Sequence, residues 1–269
     1  MIPLKAKQNT LELIQISDPH LFADAAGSLL GVNTRDSFLA TLQQVKLLHP
    51  NPDVIVVTGD ISQDLSKESY QFFAHAMSQF ECPVLCLAGN HDELESLEQF
   101  AVNQQISTAK QFQSVHWQIL LAHSQVKGEV YGRIDDKEMQ WLADELSSNP
   151  KPAIVFTHHH PVYSNAEWID VLGIKNCEDF TQMLSQHQNV KACGFGHVHQ
   201  ALDITKDSVQ YLSVPSTCIQ FKPDSKEFAV SNEKPGYRVY LCQPDGQIKT
   251  QVYRLEAYEL TLDKTATGY

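Results

Sequence analysis

The sequence predicts an α/β fold, a four-layer αββα sandwich of two mixed sheets with helices outside. Three observations lead there. Short, continuously apolar runs (DVIVVT, VLCLA, AIVFT) alternate with segments of helical periodicity, as parallel strands covered on both faces do. Both halves of the chain combine strands with helices, which calls for two sheets packed face to face. Finally, the apolar runs end alike: within two residues each reaches a histidine, aspartate or asparagine.

The elements follow in order. Residues 10–16 (TLELIQI) alternate well enough for a strand, and Pro19 stops it. A helix over about 34–49 carries Phe38, Leu42, Val45 and Leu48 on one stripe, with Asn33 or Thr34 able to cap its start. Strand DVIVVT, a helix over 66–80, strand VLCLA and a helix over 92–102 complete a β-α-β-α-β series with a parallel sheet. Residues 111–115 and 117–122 read as an antiparallel pair. Asp135-Asp136-Lys137-Glu138 opens a further helix with Met139, Leu142 and Leu146 facing inward. AIVFT, a helix over 176–187 and VKACGF follow. The runs ALDIT, VQYLSV, KEFAV, GYRVYLCQ and QIKTQVYRL, with a turn at Pro244-Asp245-Gly246, read as strands.

At 269 residues and 42% hydrophobic composition, the chain can bury one large core. It is read as a single domain over 1–269, with 259–269 a polar tail that hangs free or drapes the surface. No apolar run approaches the roughly 20 residues that span a bilayer, and the first ten residues lack a signal-peptide pattern. The expectation is a soluble cytoplasmic protein without a membrane partner; oligomeric state is not legible. Six cysteines, mostly in apolar strand-like runs, suit reduced buried thiols better than a disulfide framework or zinc ribbon. A net charge of −12 argues against a nucleic-acid partner, which needs clustered Lys and Arg. A small anion is still admitted, because bound metal makes a pocket locally positive.

The chemistry lies at the strand ends. Asp18 and His20, Asp60, Asn90 with His91, one of His158, His159 and His160, and His197 with His199 all fall there. Sites in such sheets form beyond the carboxyl ends of the strands. Imidazole and oxygen donors with no thiolate suit Fe, Mn or Zn. The donors are too many for one ion and about right for two, with Asp60 as the bridge. Two divalent transition-metal ions roughly 3.5–4 Å apart acidify a bridging water and clamp a phosphoryl group in line with its leaving oxygen. That hydroxide would be the nucleophile, so no Ser or Cys is needed. His91 directly follows a ligand and is expected to enter the pocket without binding metal, to protonate the leaving oxygen or steady charge on the phosphate. Of the three adjacent histidines, His158 is the first to emerge from its strand and the expected ligand. His159 should point away, and His160 should line the mouth or orient a neighbour.

These segments resemble, in order and spacing, the five motifs of the calcineurin-like metallophosphoesterases: Asp18-x-His20, Gly59-Asp60, Gly89-Asn90-His91-Asp92, His158-His159-His160-Pro161 and Gly196-His197-x-His199. The resemblance implies one ion on Asp18, His20, Asp60 and His199, and the other on Asp60, Asn90, His158 and His197. It further implies a substrate phosphate met by His20, Asp60, Asn90, His91 and His199, with His91 as the catalytic group. Outside these motifs, Leu30–Thr34, Trp117–Leu121, Ser124-Gln125-Val126, Pro215–Pro223 and Pro235-Gly236-Tyr237 are similar to the bacterial class III 3′,5′-cyclic-AMP phosphodiesterases. Two positions depart from that pattern: Pro19 replaces the usual threonine, and His123 stands where Asp commonly precedes Ser-Gln. The resemblance implies hydrolysis of a small cyclic nucleotide, cyclic AMP, to 5′-AMP at an Fe and/or Mn centre. Rival readings are another small phosphoester, such as a 2′,3′-cyclic nucleotide or glycerophosphodiester, and a scaffold that binds without turnover.

Overall fold

The computed structural model describes residues 9–100, 105–263 and 268. The elements in chain order are β1 (Leu11–Ile16), β2 (Ser28–Leu29), β3 (Val32–Asn33), α1 (Thr34–Leu48), β4 (Val54–Val57), α2 (Lys67–Met77), β5 (Val84–Cys86), α3 (Leu94–Phe100), β6 (Ile106–Ser107), β7 (Gln111–Gln113) and β8 (Gln118–Leu121). There follow α4 (Asp136–Ser148), β9 (Ala153–Thr157), α5 (Glu167–Asp170), α6 (Cys177–Gln186), β10 (Val190–Phe195), β11 (Asp203–Lys206), β12 (Val209–Ser213), β13 (Gln220–Phe221), β14 (Val230–Ser231), β15 (Gly236–Cys242) and β16 (Ile248–Arg254).

Two six-stranded sheets result, ordered β16-β15-β1-β4-β5-β6 and β11-β12-β10-β9-β8-β7. In the first, β1, β4, β5 and β6 run parallel, while β15 and β16 add antiparallel strands. In the second, β8, β9, β10 and β12 are parallel between antiparallel edge strands β7 and β11.

Side-chain alternation explains the four layers. Along β4, Val54 and Val56 enter the core between the sheets, whereas Ile55 and Val57 enter the core under α1 and α2. Along β9, Ile154 and Phe156 face the inter-sheet core, whereas Ala153 and Val155 pack with Leu142, Phe180 and Leu184 of α4 and α6. Both strand faces are therefore apolar, which is why these strands read as unbroken hydrophobic runs. Each such aliphatic side chain contributes about 1.5–3 kcal/mol on full burial.

Asn33 caps α1 by accepting from Asp36 N, and Ser66 caps α2 by accepting from Ser69 N. The helix expected over 92–102 begins only at Leu94, because Asp92 is engaged elsewhere; Val102 lies outside the described residues. The expected strand at 226–230 shrinks to β14, since the chain before it turns with Asp224 in the left-handed region (φ 56°). In the tail, Tyr258, Leu260 and Leu262 pack on a small apolar cluster with Leu29, Val32, Ile219 and Phe221. No helix among the described residues is long and apolar enough to cross a membrane.

Candidate metal centre

The carboxyl ends of β1, β4, β5, β9 and β10 meet at one edge where the two sheets face each other. Beneath it a buried polar network ties the sheets together. Gln15 Nε2 donates to Thr58 Oγ1 (3.1 Å) and to Phe195 O (3.2 Å), and Tyr240 donates to Gln15 Oε1 (2.6 Å). Fully satisfied networks of this kind hold one arrangement of the sheets.

All the expected ligands come together at this edge. Asp18, His20 and His199 present donor atoms within 4.8 Å of one another, as do Asp18, Asp60 and His158, and His20, Asp60 and His91. His199 Nε2 lies 3.4 Å from Asp18 Oδ1 and 3.2 Å from His20 Nε2. His158 Nε2 lies 3.1 Å from Asn90 Oδ1 and 3.4 Å from Asp60 Oδ2. His197 joins His158 and His159 in a further donor group.

Five of these residues adopt the left-handed backbone conformation: Asp18 (φ 53°), His20 (47°), Asp60 (51°), His197 (66°) and His199 (46°). Each such residue costs roughly 1–2 kcal/mol, offset here by cross-loop hydrogen bonds. Asp18 N donates to Gly59 O, His20 N to Asp60 O and Gly196 N to His158 O, each at 3.0 Å. Glycines permit the close approach. A Cβ on Gly59 would lie 2.6 Å from His158 Nδ1, and one on Gly89 would lie 2.1 Å from Asp60 Oδ1.

Hydrogen bonding settles the ring orientations. His20 Nδ1 donates to Gln63 Oε1 (2.6 Å), His199 Nδ1 to Ile219 O (2.9 Å) and His158 Nδ1 to Thr58 O (2.7 Å). Those partners only accept, so the three Nδ1 atoms carry protons and the Nε2 atoms point inward, as lone pairs wherever the ring is neutral. In neutral rings the facing Nε2 atoms of His20 and His199, 3.2 Å apart, would both present lone pairs, as two imidazoles holding one cation would. Asp60 Oδ2 and both ring nitrogens of His197 are buried with no hydrogen-bond partner among the described residues. An Asp60 oxygen 3.8 Å from His20 Nε2 and 3.4 Å from His158 Nε2 stands between the two groups of donors. The donor set and its orphaned atoms fit a pair of divalent ions.

Charge follows the same geometry. Burial pushes His20 down to about 3 despite Asp60, and His197 is held well below the usual imidazole range by burial and its histidine neighbours. Both rings are therefore neutral, the form in which an imidazole can bind a metal. Burial disfavours charge on His158, but Asp60 outweighs it and raises the imidazole to about 9. Burial likewise opposes ionisation of Asp60, yet His158 and His91 hold it well below the usual carboxylate range.

The three consecutive histidines part ways. His159 is turned into the wall, with Nδ1 on Ser124 Oγ (2.8 Å) and Nε2 on Val130 O (3.2 Å). His160 stacks on the His197 ring (5.6 Å, 18°) and lies 3.5 Å from Asp170 Oδ1. Behind it a cavity of about 290 Å³ reaches Ile174, Cys177 and Lys206, away from Asp60. At His123, the backbone N–H donates to Glu138 Oε1 (2.8 Å).

Asp92 belongs to the third motif, but the sequence gives it no task; the fold does. Its buried carboxylate accepts from Ile61 N, Ser62 N, Gly89 N and Tyr70 OH at 2.9–3.1 Å, so one side chain pins the loops that carry Asp60 and Asn90. Burial and the charge of Asp60 raise its pKa to about 6. Gln125 adds a second clamp, donating to Gly89 O (2.7 Å) and Asp92 O (2.6 Å). The only signal for Asp92 in the sequence is its place directly after Asn90-His91.

A fold of two face-to-face sheets with imidazoles and carboxylates at their shared edge defines a class, and comparison with known proteins agrees with it. The calcineurin-like phosphoesterase family model matches residues 11–201, and the chain belongs to that family. Within it, the chain is 39% identical to the 3′,5′-cyclic adenosine monophosphate phosphodiesterase CpdA of Vibrio vulnificus, over 97% of this chain and 96% of that one. It is 36% identical to the protein of the same name from Escherichia coli K12, over 100% of this chain and 98% of the relative. Among solved structures, a dimetal phosphatase from Danio rerio shares the fold at a TM-score of 0.58 and 14% identity, covering 86% of this chain and 95% of that one.

Proposed function

We propose that the chain hydrolyses 3′,5′-cyclic AMP to 5′-AMP, ending a second-messenger signal, with two divalent transition-metal ions, Fe and/or Mn. We assign Asp18, His20, Asp60 and His199 to one ion and Asp60, Asn90, His158 and His197 to the other. The observation that carries this reading is Asp60 Oδ2, buried, without a hydrogen-bond partner among the described residues and flanked by His20 Nε2 and His158 Nε2. The substrate class rests on the names of the relatives, which match over nearly the whole chain. Buried free thiols at Cys86, Cys193, Cys218 and Cys242 suit a reducing cytoplasm.

The bound ions supply positive charge for the phosphate oxygens and a water acidic enough to act at neutral pH. The chain's own side chains do the rest. His20, Asp60, Asn90, His91 and His199 line the face that receives the phosphate. With the ions bound, such a water, having lost a proton to solvent, would bond through its oxygen to phosphorus as the P–O3′ bond breaks, and His91 would give a proton to the departing 3′-oxygen. The His91 backbone N–H donates to Asp60 Oδ1 (2.9 Å), which fixes the loop that aims its imidazole. Tight packing of the Gly59 and Gly89 loops leaves no slack in that aim.

The test is a turnover panel of cyclic AMP, cyclic GMP, 2′,3′-cyclic nucleotides and glycerophosphodiesters with Mn- or Fe-loaded protein. Release of 5′-AMP at the highest kcat/KM is expected. A clear preference for glycerophosphodiesters, or metal bound in full without turnover of any substrate, overturns the proposal.

A further inference from the structure

A cavity of about 260 Å³ opens beside His91 and His197, and it is lined by Trp168, Phe228, Val130, Ile169 and Leu172. Gly268 completes the lining, and no Asp, Glu, Lys or Arg belongs to this wall among the described residues. Trp168 sits on the single turn of α5, where its indole meets Phe221 (4.9 Å, 79°) and Phe228 (5.1 Å, 72°) edge to face. Phe221 in turn stacks flat on the ring of His199 (4.2 Å, 9°). One aromatic cluster thus runs from the metal-ligand set to the cavity wall, so the wall is held at a fixed distance from the phosphate site. Edge-to-face contacts of this kind contribute beyond area burial and fix ring orientation.

We propose that Trp168 and Phe228 form the platform for the nucleobase of the substrate, a subsite for a flat, neutral heterocycle beside the site for the anionic phosphate. The inference rests on the cyclic-nucleotide reading and deepens it. A phosphate alone cannot tell one diester from another, because every phosphate presents the same oxygens. Discrimination must come from what surrounds the centre, and here the surroundings are apolar and aromatic. A purine offers two π-faces to such a wall, with no polar edge forced against it. The glycerol of a glycerophosphodiester has no flat face and would leave its hydroxyls against Val130, Ile169 and Leu172 without partners.

The experiment compares cyclic AMP with trimethylene phosphate, which has the same six-membered cyclic diester and no base. In the metal-loaded protein, Trp168→Ala should lower kcat/KM for cyclic AMP about 10–100-fold relative to trimethylene phosphate, and Trp168→Phe should restore most of the loss. A second readout needs no turnover: 5′-AMP should quench the fluorescence of the parent protein, and Trp168→Phe, which keeps Trp117 and Trp141, should lose that response. Equal losses on both substrates, or an unchanged ratio, overturn the platform. Should the parent protein hydrolyse trimethylene phosphate and ignore cyclic AMP, the functional reading itself falls, a result distinct from failure of the platform alone.

Discussion

Gly89→Ala is the smallest change that reaches the centre of the site. A Cβ there would lie 2.1 Å from Asp60 Oδ1, 2.4 Å from Asp60 N and 2.7 Å from His158 Cε1. Real Cβ atoms essentially never approach a neighbour within 3.0 Å, so the Asp60 carboxylate or its backbone must withdraw by close to 1 Å. Neither has room, because Asp92 holds both loops and His91 N holds Asp60 Oδ1. Overpacking of this kind costs about 1–3 kcal/mol of stability. A displacement near 1 Å in a reacting constellation lowers turnover by about 10²-fold. The assay combines metal per chain, the urea midpoint and kcat, with Gly128→Ala alongside. Gly128 has φ +83°, and a Cβ added there would meet nothing within 4 Å, so it should lose about 1–2 kcal/mol to backbone strain and keep its metal. Gly89→Ala with two ions and turnover within twofold of the parent would refute the argument from close approach.

Asp60→Ala should release both ions, since one oxygen faces both donor groups; retention of one full equivalent in metal analysis removes Asp60 from the bridging position. His91→Ala should keep its metal and lose about 10²–10⁴-fold in kcat, and loss of metal with activity would make it a ligand instead. His158→Ala should lose metal and activity together, whereas His159→Ala and His160→Ala should keep metal, because their rings are engaged by Ser124 and Val130 and by the His197 face. Chelation of the ions should lower the melting temperature. Binding at one hundred times Kd contributes about 2.7 kcal/mol, and coincident melting of chelated and loaded protein would show that the ions do not bind the folded chain in preference to the unfolded one.

Much of this was legible in the sequence, for physical reasons. Strands buried on both faces must be continuously apolar, so DVIVVT and AIVFT announced themselves as β4 and β9. Parallel strands place their carboxyl ends together, so the residues after them could be grouped from the sequence alone. What stayed hidden depends on distant partners. The single turn of α5 is too short to show a period, yet it carries Trp168 into the aromatic cluster. Asp92 looked like the polar start of a helix, and only the fold shows its carboxylate gathering the N–H groups of Gly89, Ile61 and Ser62.

The left-handed backbone of the candidate donors explains why such a pattern works. An extended chain leaving a strand alternates its side chains between faces, and would send every second donor into one core or the other. A single left-handed residue at the strand end turns the chain sharply and carries the side chain out along the sheet edge. Asp, Asn and His are the non-glycine residues that visit this region most readily, and they are also hard or borderline metal donors. One choice of residue therefore serves both needs at Asp18, His20, Asp60, His197 and His199. The backbone strain persists because the surrounding bonds over-determine it: Gly59 O and Asp60 O take the N–H groups of Asp18 and His20, while Asp18 Oδ1 and Oδ2 take that of His197. The loops after β1 and β4 thus hold each other within one sheet, and Asp18 ties them to the His197 loop of the other. These donors owe their positions to hydrogen bonds of backbone and carboxylate as well as to their residue type.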